Sequence, residues 1–589
     1  MDRRKRLLCI ILSLVFLLSA CTTNKDMDTK IENSEKMGKA KISGHNGDIS
    51  VEVNFKDGKI DNIKSEHKET EGLGSKAIDD LTKKIIDNQN LDIDIISGAT
   101  VTSNAFISAV KEAVKDAGYK TEDFSKKTEK VTKKEKELTY DLVVIGGGGA
   151  GFASAISAKE EGVEKVAIFE KLPNVGGNTL ISGAEYAAPA NDLQKKEGIK
   201  DSPELFAKDV EKAGGNPELI KYLSEHATET AKWLADDVKV EWLDSLMFFG
   251  GHSVKRSLIP KGHSGVELIN KYHAKSKELG IDVLTEHNVK EILTNDNKVV
   301  GVKVETPDSI ITVHSKAVII ASGGFGANDK MLYKNDKEID DKVLSTNSPG
   351  ATGDGIVMAQ KLGADTVDMD KIQLYPICDV ETGRLLYVGD TRLVGGALLV
   401  NKEGERFVEE LATRREISLA IKQQTDNVGY LIWDEKSSEL TGTIHSHEAE
   451  AKNLYDRGLL VKANTIEELA EHFGVDADKL KATVESFNKN SKENKDPEFN
   501  LRMLGWTIEQ APFYMLKAGP AVHHTMGGLK INVNAEVLTK DNEIIQGLYA
   551  AGEVTGGIHG TNRLGSVALA DISVYGKQAG VQAAKYIKK

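Results

Sequence analysis

The run Asp141-Leu142-Val143-Val144-Ile145 is an apolar strand that feeds directly into Gly146-Gly147-Gly148-Gly149-Ala150-Gly151 and an alanine-rich helical stretch ending near Glu161. Strand, G-x-G-x-x-G and helix in that order leave few alternatives. The glycines let the backbone turn sharply and approach a pyrophosphate, while the helix N-terminus offers N–H groups and a positive dipole end. A second strand, Val166-Ala167-Ile168-Phe169, ends in Glu170, an acid placed to bind a ribose hydroxyl. Together they predict a dinucleotide-binding α/β domain, with Gly146, Gly148, Ala150, Gly151 and Glu170 against the ligand.

A chain of 589 residues holds material for about three or four domains. Its net charge of −13 argues against a phosphate-backbone partner, so no nucleic-acid role is expected. The three cysteines, Cys9, Cys21 and Cys378, make no C-x-x-C-H motif, which excludes covalent c-type haem and leaves no ligand set for an iron–sulfur cluster. Two of them lie in the leader, so no disulfide framework can form, and no metal site is expected.

Arg3, Arg4, Lys5 and Arg6 precede an apolar run over residues 7–18 and then Leu18-Ser19-Ala20-Cys21. That run is short for a spanning helix. Small residues before a cysteine resemble a bacterial lipobox, so residues 1–21 are expected to be a lipoprotein signal with Cys21 lipidated; an uncleaved anchor is the alternative. Residues 22–38 then form a polar tether, and the protein sits lipid-anchored at the extracytoplasmic face of the cell membrane. Residues 39–120 read as a small α+β unit. Alternation at Ile49, Val51, Val53 and Phe55, a turn at Gly58, then Ile60 and Ile63 predict a hairpin, with helices over 75–88 and 103–117. Residues 121–138, dominated by Lys, Glu and Thr, read as a solvated linker.

Further motifs follow in order. Val318-Ile319-Ile320-Ala321-Ser322-Gly323-Gly324 and Gly547-Leu548-Tyr549-Ala550-Ala551-Gly552-Glu553 resemble the two returns to the cofactor in FAD-dependent reductases. Gly176-Gly177-Asn178-Thr179, Thr352-Gly353-Asp354-Gly355, Arg406-Phe407-Val408-Glu409-Glu410, His523-His524-Thr525-Met526-Gly527-Gly528 and Gly560-Thr561-Asn562-Arg563-Leu564-Gly565 complete the set. From about residue 140 to the C-terminus the chain resembles the soluble fumarate reductase/flavocytochrome c family. The resemblance implies a Rossmann-like FAD-binding domain, residues 139–371 and 520–589, with an inserted α+β capping domain over 372–519. Non-covalent FAD would also meet Asn178, Thr179, Gly183, Ala321 and Gly323, and, further along, Asp354, His523, Glu553, Gly565 and Ser566.

Ser97-Gly98-Ala99-Thr100 resembles the FMN-binding domain of bacterial respiratory subunits, in which the threonine carries FMN through a phosphoester bond. The resemblance implies covalent FMN on Thr100, attached by an FMN transferase. Electrons would pass from FMN to FAD to substrate, supplied by a quinol or a membrane dehydrogenase.

An alkene accepts hydride only where something takes up the developing charge, and a conjugated carboxylate held by cations does so. The resemblance places His524, Arg563 and Arg414 around such a carboxylate, with Arg414 in Thr413-Arg414 as the proton donor, Arg415 standing beside it, and Arg392 as a relay or substrate contact. Fumarate reductases carry histidine in a Q-x-H-P pattern and a Thr-Glu pair at the far end of the substrate. Here those places read Gln373-Leu374-Tyr375-Pro376 and Val388-Gly389-Asp390. Tyr375 and Asp390 suit an imidazole better than a second carboxylate. Urocanate-reducing members of the family resemble this chain there, which implies reduction of urocanate to imidazole propionate. The rival expectations are another acrylate or fumarate, ketosteroid dehydrogenation, and a non-catalytic electron-transfer lipoprotein.

Overall fold

The computed structural model describes residues 36–44, 47–69, 74–93, 95–96, 99–125, 133–394 and 396–589. Cys21 and nearly all of the leader and tether lie outside the described residues, as do Asp94, Ser97, Gly98 and the Thr100 side chain.

The N-terminal unit is a three-stranded antiparallel sheet, Lys36–Ser43, Asp48–Lys56 and Lys59–Glu66, covered by helices Gly74–Asn88 and Thr100–Asp116. The expected hairpin turns at Asp57 and Gly58, both with positive φ. Its alternation delivers Ile49, Val51, Val53 and Phe55 to one face, where they meet Ile78, Leu81, Ile85, Phe106 and Val110. Each such fully buried side chain stabilises the unit by about 1.5–3 kcal/mol. The first strand corrects the tether boundary: Lys36, Met37 and Gly38 pair with Phe55, Asn54 and Val53. A row of Lys, Gly and Ala gives little strand signal, and only the neighbouring strand recruits it.

The linker is also shorter than expected. At one end a 3-10 turn, Thr121–Phe124, buries Phe124 among the N-terminal core residues. At the other, Lys134–Thr139 joins the next domain as an edge strand parallel to Ser309–His314. Its exposed Lys and Glu side chains suit an edge.

The second domain is built on parallel strands in the order Asp282–Leu284, Val166–Phe169, Leu142–Ile145, Ala317–Ile320 and Ile544–Ala550. The three central ones are buried along their whole length, as a sheet covered on both faces requires. Helices Gly149–Glu160 and Val567–Ile587 pack together over this sheet. A Cβ at Gly576 would lie 2.8 Å from the Ala150 carbonyl, so glycine is what permits the close approach.

The cap grows out of a strand pair. Ile372–Cys378 runs antiparallel to Phe513–Thr525, a 13-residue strand that begins in the cap and ends beside the second domain. Gly519, the expected cap boundary, therefore lies inside a continuous strand. Leu398–Val400, Gly429–Asp434 and Leu460–Ala463 complete the cap sheet, with helices that include Arg414–Lys422, Glu448–Asp456 and Ala477–Lys492. The Arg406-to-Glu410 motif proves to be a fastening: Arg406 pairs with Glu410 at 2.7 Å and Asp496 at 3.0 Å, all buried.

Among the described residues, no helix is long and apolar enough to cross a membrane, and no group of three or more His, Cys, Asp or Glu could hold a metal ion.

Candidate active site

Loops at the carboxyl ends of the parallel strands converge at the start of helix Gly149–Glu160, the usual ligand crevice of such sheets. Gly146 has φ 109°, and a Cβ there would sit 2.4 Å from the Ala321 carbonyl; one at Gly151 would sit 2.0 Å from the Gly146 carbonyl. Gly148 is different, because a Cβ would meet no protein atom closer than 3.8 Å. Gly323, at φ 74°, likewise faces open space. The cleft is thus lined by backbone that protein packing does not require to be bare, and a pyrophosphate fits there. Glu170 accepts from the Gly147 and Leu172 N–H groups at 2.9 and 2.8 Å, which fixes its carboxylate at the strand end; burial pushes that carboxyl up.

The other expected cofactor residues gather along the same cleft. Asn178 donates to Glu553 at 3.0 Å and accepts from the Ser348 N–H, and Thr179 accepts from the Gly149 N–H. Asp354 pairs with Lys171 at 2.6 Å. Gly183 lies under the Glu185 carboxylate, and His523 shares a 3.0 Å hydrogen bond with Thr346. Gly565 accepts from His252, and Ser566, at φ 63°, precedes helix Val567–Ile587. These residues fit FAD, whose phosphates the glycine loop and two helix N-termini would hold.

Beyond this cleft, side chains of the cap and of the second domain converge on a second site, the candidate substrate pocket. His524 lies opposite Gln373 in the strand pair, and Gln373 donates to the Arg563 carbonyl at 2.9 Å and to Asn562 at 3.1 Å. Arg414, the first residue of helix Arg414–Lys422, is aimed by a capping box between Thr413 and Glu416. Its guanidinium donates to Gln373 at 3.3 Å and lies 4.7 Å over the centre of the Tyr375 ring. The neighbouring arginine is accounted for separately: Arg415 pairs with Glu338 and Asp336 at 2.6 and 2.7 Å. Arg414 alone of the two faces the pocket.

Buried Arg563, half-buried Arg414 and buried His524 crowd one end. Burial and then the Arg414 charge push the Arg563 guanidinium down to about 9. Burial and then Arg563 hold His524 well below the usual histidine range, so it is a neutral imidazole. Arg563 Nε and His524 Nδ1 are buried and lack a hydrogen-bond partner among the described residues. An anion at that point would relieve the cation repulsion and accept from the unpaired donor, and a carboxylate matches the fork of Arg563.

At the other end the Tyr375 hydroxyl donates to Asp390 at 2.8 Å. Burial pushes the Asp390 carboxyl up, while Arg392 pulls it the other way. Arg392 is turned to the Glu410 carbonyl at 3.0 Å, and among the described residues no hydrogen bond joins it to Arg414. Arg392 acts on Asp390 through its charge and is held by the Glu410 carbonyl.

Sequence reasoning missed Glu185. It stands on the FAD-domain side, paired with His263 at 2.5 Å, and its charge reaches Tyr387, Asp390 and Arg563. An acid within Ser182-Gly183-Ala184-Glu185-Tyr186-Ala187, just after the Gly176-Gly177 motif, was the available signal.

Comparison with known proteins agrees with this geometry. Residues 141–569 match the family model described as FAD binding domain, and residues 44–115 match FMN-binding domain. Urocanate reductase of Eggerthella lenta is 44% identical over 552 residues, covering 92% of this chain and 91% of that protein. NADH:acrylate oxidoreductase of Vibrio harveyi is 35% identical, and the chain spans 60% of its length. The open conformation of a flavocytochrome c3 fumarate reductase superposes with a TM-score of 0.69 at 34% identity, over 77% of this chain and 79% of that one. The chain belongs to the FAD-binding flavoprotein family of the soluble fumarate reductases, as an FAD-dependent oxidoreductase. It is a member that carries an N-terminal FMN-binding domain, and it is similar to urocanate reductase over nearly its whole length.

Proposed function

We propose that this protein reduces the conjugated double bond of an α,β-unsaturated carboxylate, and that the substrate is urocanate, with imidazole propionate as product. The relatives named for urocanate and acrylate support the reductase reading. The observation that carries the choice of substrate is the Tyr375–Asp390 pair, opposite the Arg563, His524 and Arg414 cluster. The second carboxylate of fumarate would face Asp390 and be repelled. An imidazole N–H can instead donate to Asp390, and in the cationic ring the second N–H can donate to the Tyr375 oxygen, whose own proton goes to Asp390.

Bound and reduced, FAD supplies the hydride that the β-carbon receives. Arg563 and His524 bind the carboxylate and stabilise the charge that builds on its oxygens. Arg414, held by Gln373 and by the Tyr375 ring, donates a proton to the α-carbon. The cap excludes water from that proton transfer.

The remaining parts of the reading follow from the N-terminal region. Thr100 would hold FMN covalently, attached by an FMN transferase, and the bound flavin would supply a relay for electrons between a quinol or membrane dehydrogenase and FAD. Cys21 carries the lipid that holds the protein at the extracytoplasmic membrane face. Thr100→Ala should abolish the flavin-bearing peptide in mass spectra of protein from a transferase-containing host; a modified peptide that persists refutes the attachment. For the reaction, anaerobic oxidation of reduced viologen by the flavinylated protein is compared with urocanate, fumarate and cinnamate. Turnover confined to urocanate supports the assignment, and turnover with fumarate alone overturns it.

A further inference from the structure

Asp390 is not carried by a strand or a long helix. It sits in a 3-10 segment, Tyr387–Val394, whose first N–H groups need acceptors from elsewhere. Glu450, on the cap helix Glu448–Asp456, supplies them: its two carboxylate oxygens accept from Tyr387 N at 3.2 Å and Val388 N at 2.8 Å. Other groups from the same side tie the segment down. His447, next to that helix, stacks on Tyr387 with ring centres 4.9 Å apart and planes 14° from parallel. Thr443 donates to the Val388 carbonyl at 3.3 Å, and within the segment Thr391 donates to the same oxygen at 3.0 Å.

We propose that Glu450 is a positioning residue for substrate-ring recognition: by gripping the start of this segment it holds Asp390 where the Tyr375 hydroxyl can reach it. The inference rests on the reading that Tyr375 and Asp390 face the ring of the substrate. Tyr375 belongs to strand Ile372–Cys378, a different element, so the distance between the two side chains depends on where the segment is held. Helix Glu448–Asp456 is the clamp. Burial pushes the Glu450 carboxyl up to about 7, with Asp390 and Asp379 acting in the same direction, while its charge and those of Asp379 and Glu69 act on Arg384. Ionised or protonated, the group keeps oxygen acceptors for both N–H groups, so the grip does not require the charge.

The test uses full-length flavinylated protein with Glu450→Ala and Glu450→Gln. Dissociation constants for urocanate and for acrylate, which shares the carboxylate and lacks the ring, are read from perturbation of the flavin spectrum. Hydrogen–deuterium exchange is followed at residues 387–394. Glu450→Ala should weaken urocanate binding about 10-fold, leave acrylate within about 2-fold, and lose protection at Tyr387 and Val388. Glu450→Gln, which retains one acceptor oxygen, should recover part of both effects. Lost protection with unchanged urocanate affinity would show a purely structural role and overturn the proposal. Equal weakening of both ligands would overturn it as well, since that marks a general loosening of the cap. Wild-type protein inert to urocanate would defeat the functional reading itself, and the exchange data alone would then decide whether Glu450 holds the segment.

Discussion

The Tyr375 hydroxyl donates a 2.8 Å hydrogen bond to Asp390 from a neighbouring element of the cap, and the Arg414 guanidinium covers the other side of the tyrosine ring. One side chain thus joins the acid at one end of the pocket to the proton donor of the cluster opposite. Removing the hydroxyl leaves Asp390 with one partner fewer in buried surroundings, at a cost of about 1–3 kcal/mol. Tyr375→Phe is expected to raise KM for urocanate about 5- to 150-fold. Tyr375→His should move the preference toward fumarate, checked by the ratio of kcat/KM values for the two acids.

Arg414 and Arg415 are adjacent in sequence and differ in task. Arg414→Gln removes the proton donor and should lower kcat by about 10²–10⁴-fold while ligand binding, read from the flavin spectrum, survives. Arg415→Gln breaks an exposed pairing with Glu338 and a second one with buried Asp336, and should lower stability by about 1–3 kcal/mol, with kcat nearly unchanged. Equal loss of kcat in both variants would reject the assignment.

The glycine loop separates two requirements. Gly148 has φ −85° and an open surrounding, so Gly148→Ala should keep the apoprotein melting temperature and weaken FAD retention. At Gly151 a Cβ would press on the Gly146 carbonyl, so Gly151→Ala should lower both. Flavin absorbance per protein after gel filtration, beside a thermal melt, distinguishes them.

His263 and Glu185 give a pH dependence of known sign. The Glu185 carboxylate raises the His263 imidazole above its ordinary value of 6.5. The pairing therefore contributes fully below that value and is lost as pH rises through the higher, folded-state one. His263→Gln should destabilise the protein more at about pH 6 than at about pH 9, by about 1 kcal/mol or less because the pair is partly exposed. A melting-temperature difference that grows with pH would contradict the pairing.

The sequence by itself determined the local chemistry. A run such as Leu142–Ile145 followed by Gly146 to Gly151 has one good structural solution, because backbone sterics and the need for bare N–H groups act over a few residues. The alternation from Ile49 to Phe55 was equally legible, since period two can bury only one face of a strand. Tyr375 and Asp390 were legible as residue types at informative places. Other features were decided only by the tertiary structure. Strands Lys36–Ser43 and Lys134–Thr139 have weak propensity of their own and form because a neighbouring strand offers unpaired backbone groups. Which of Arg414 and Arg415 enters the pocket depends on the rotation of a helix set by Thr413 and Glu416. That Arg392 turns to the Glu410 carbonyl, and that Glu185 and Glu450 approach from two different domains, follows from how those domains pack. Local sequence carries no record of distances between side chains on elements that meet only after the chain has folded.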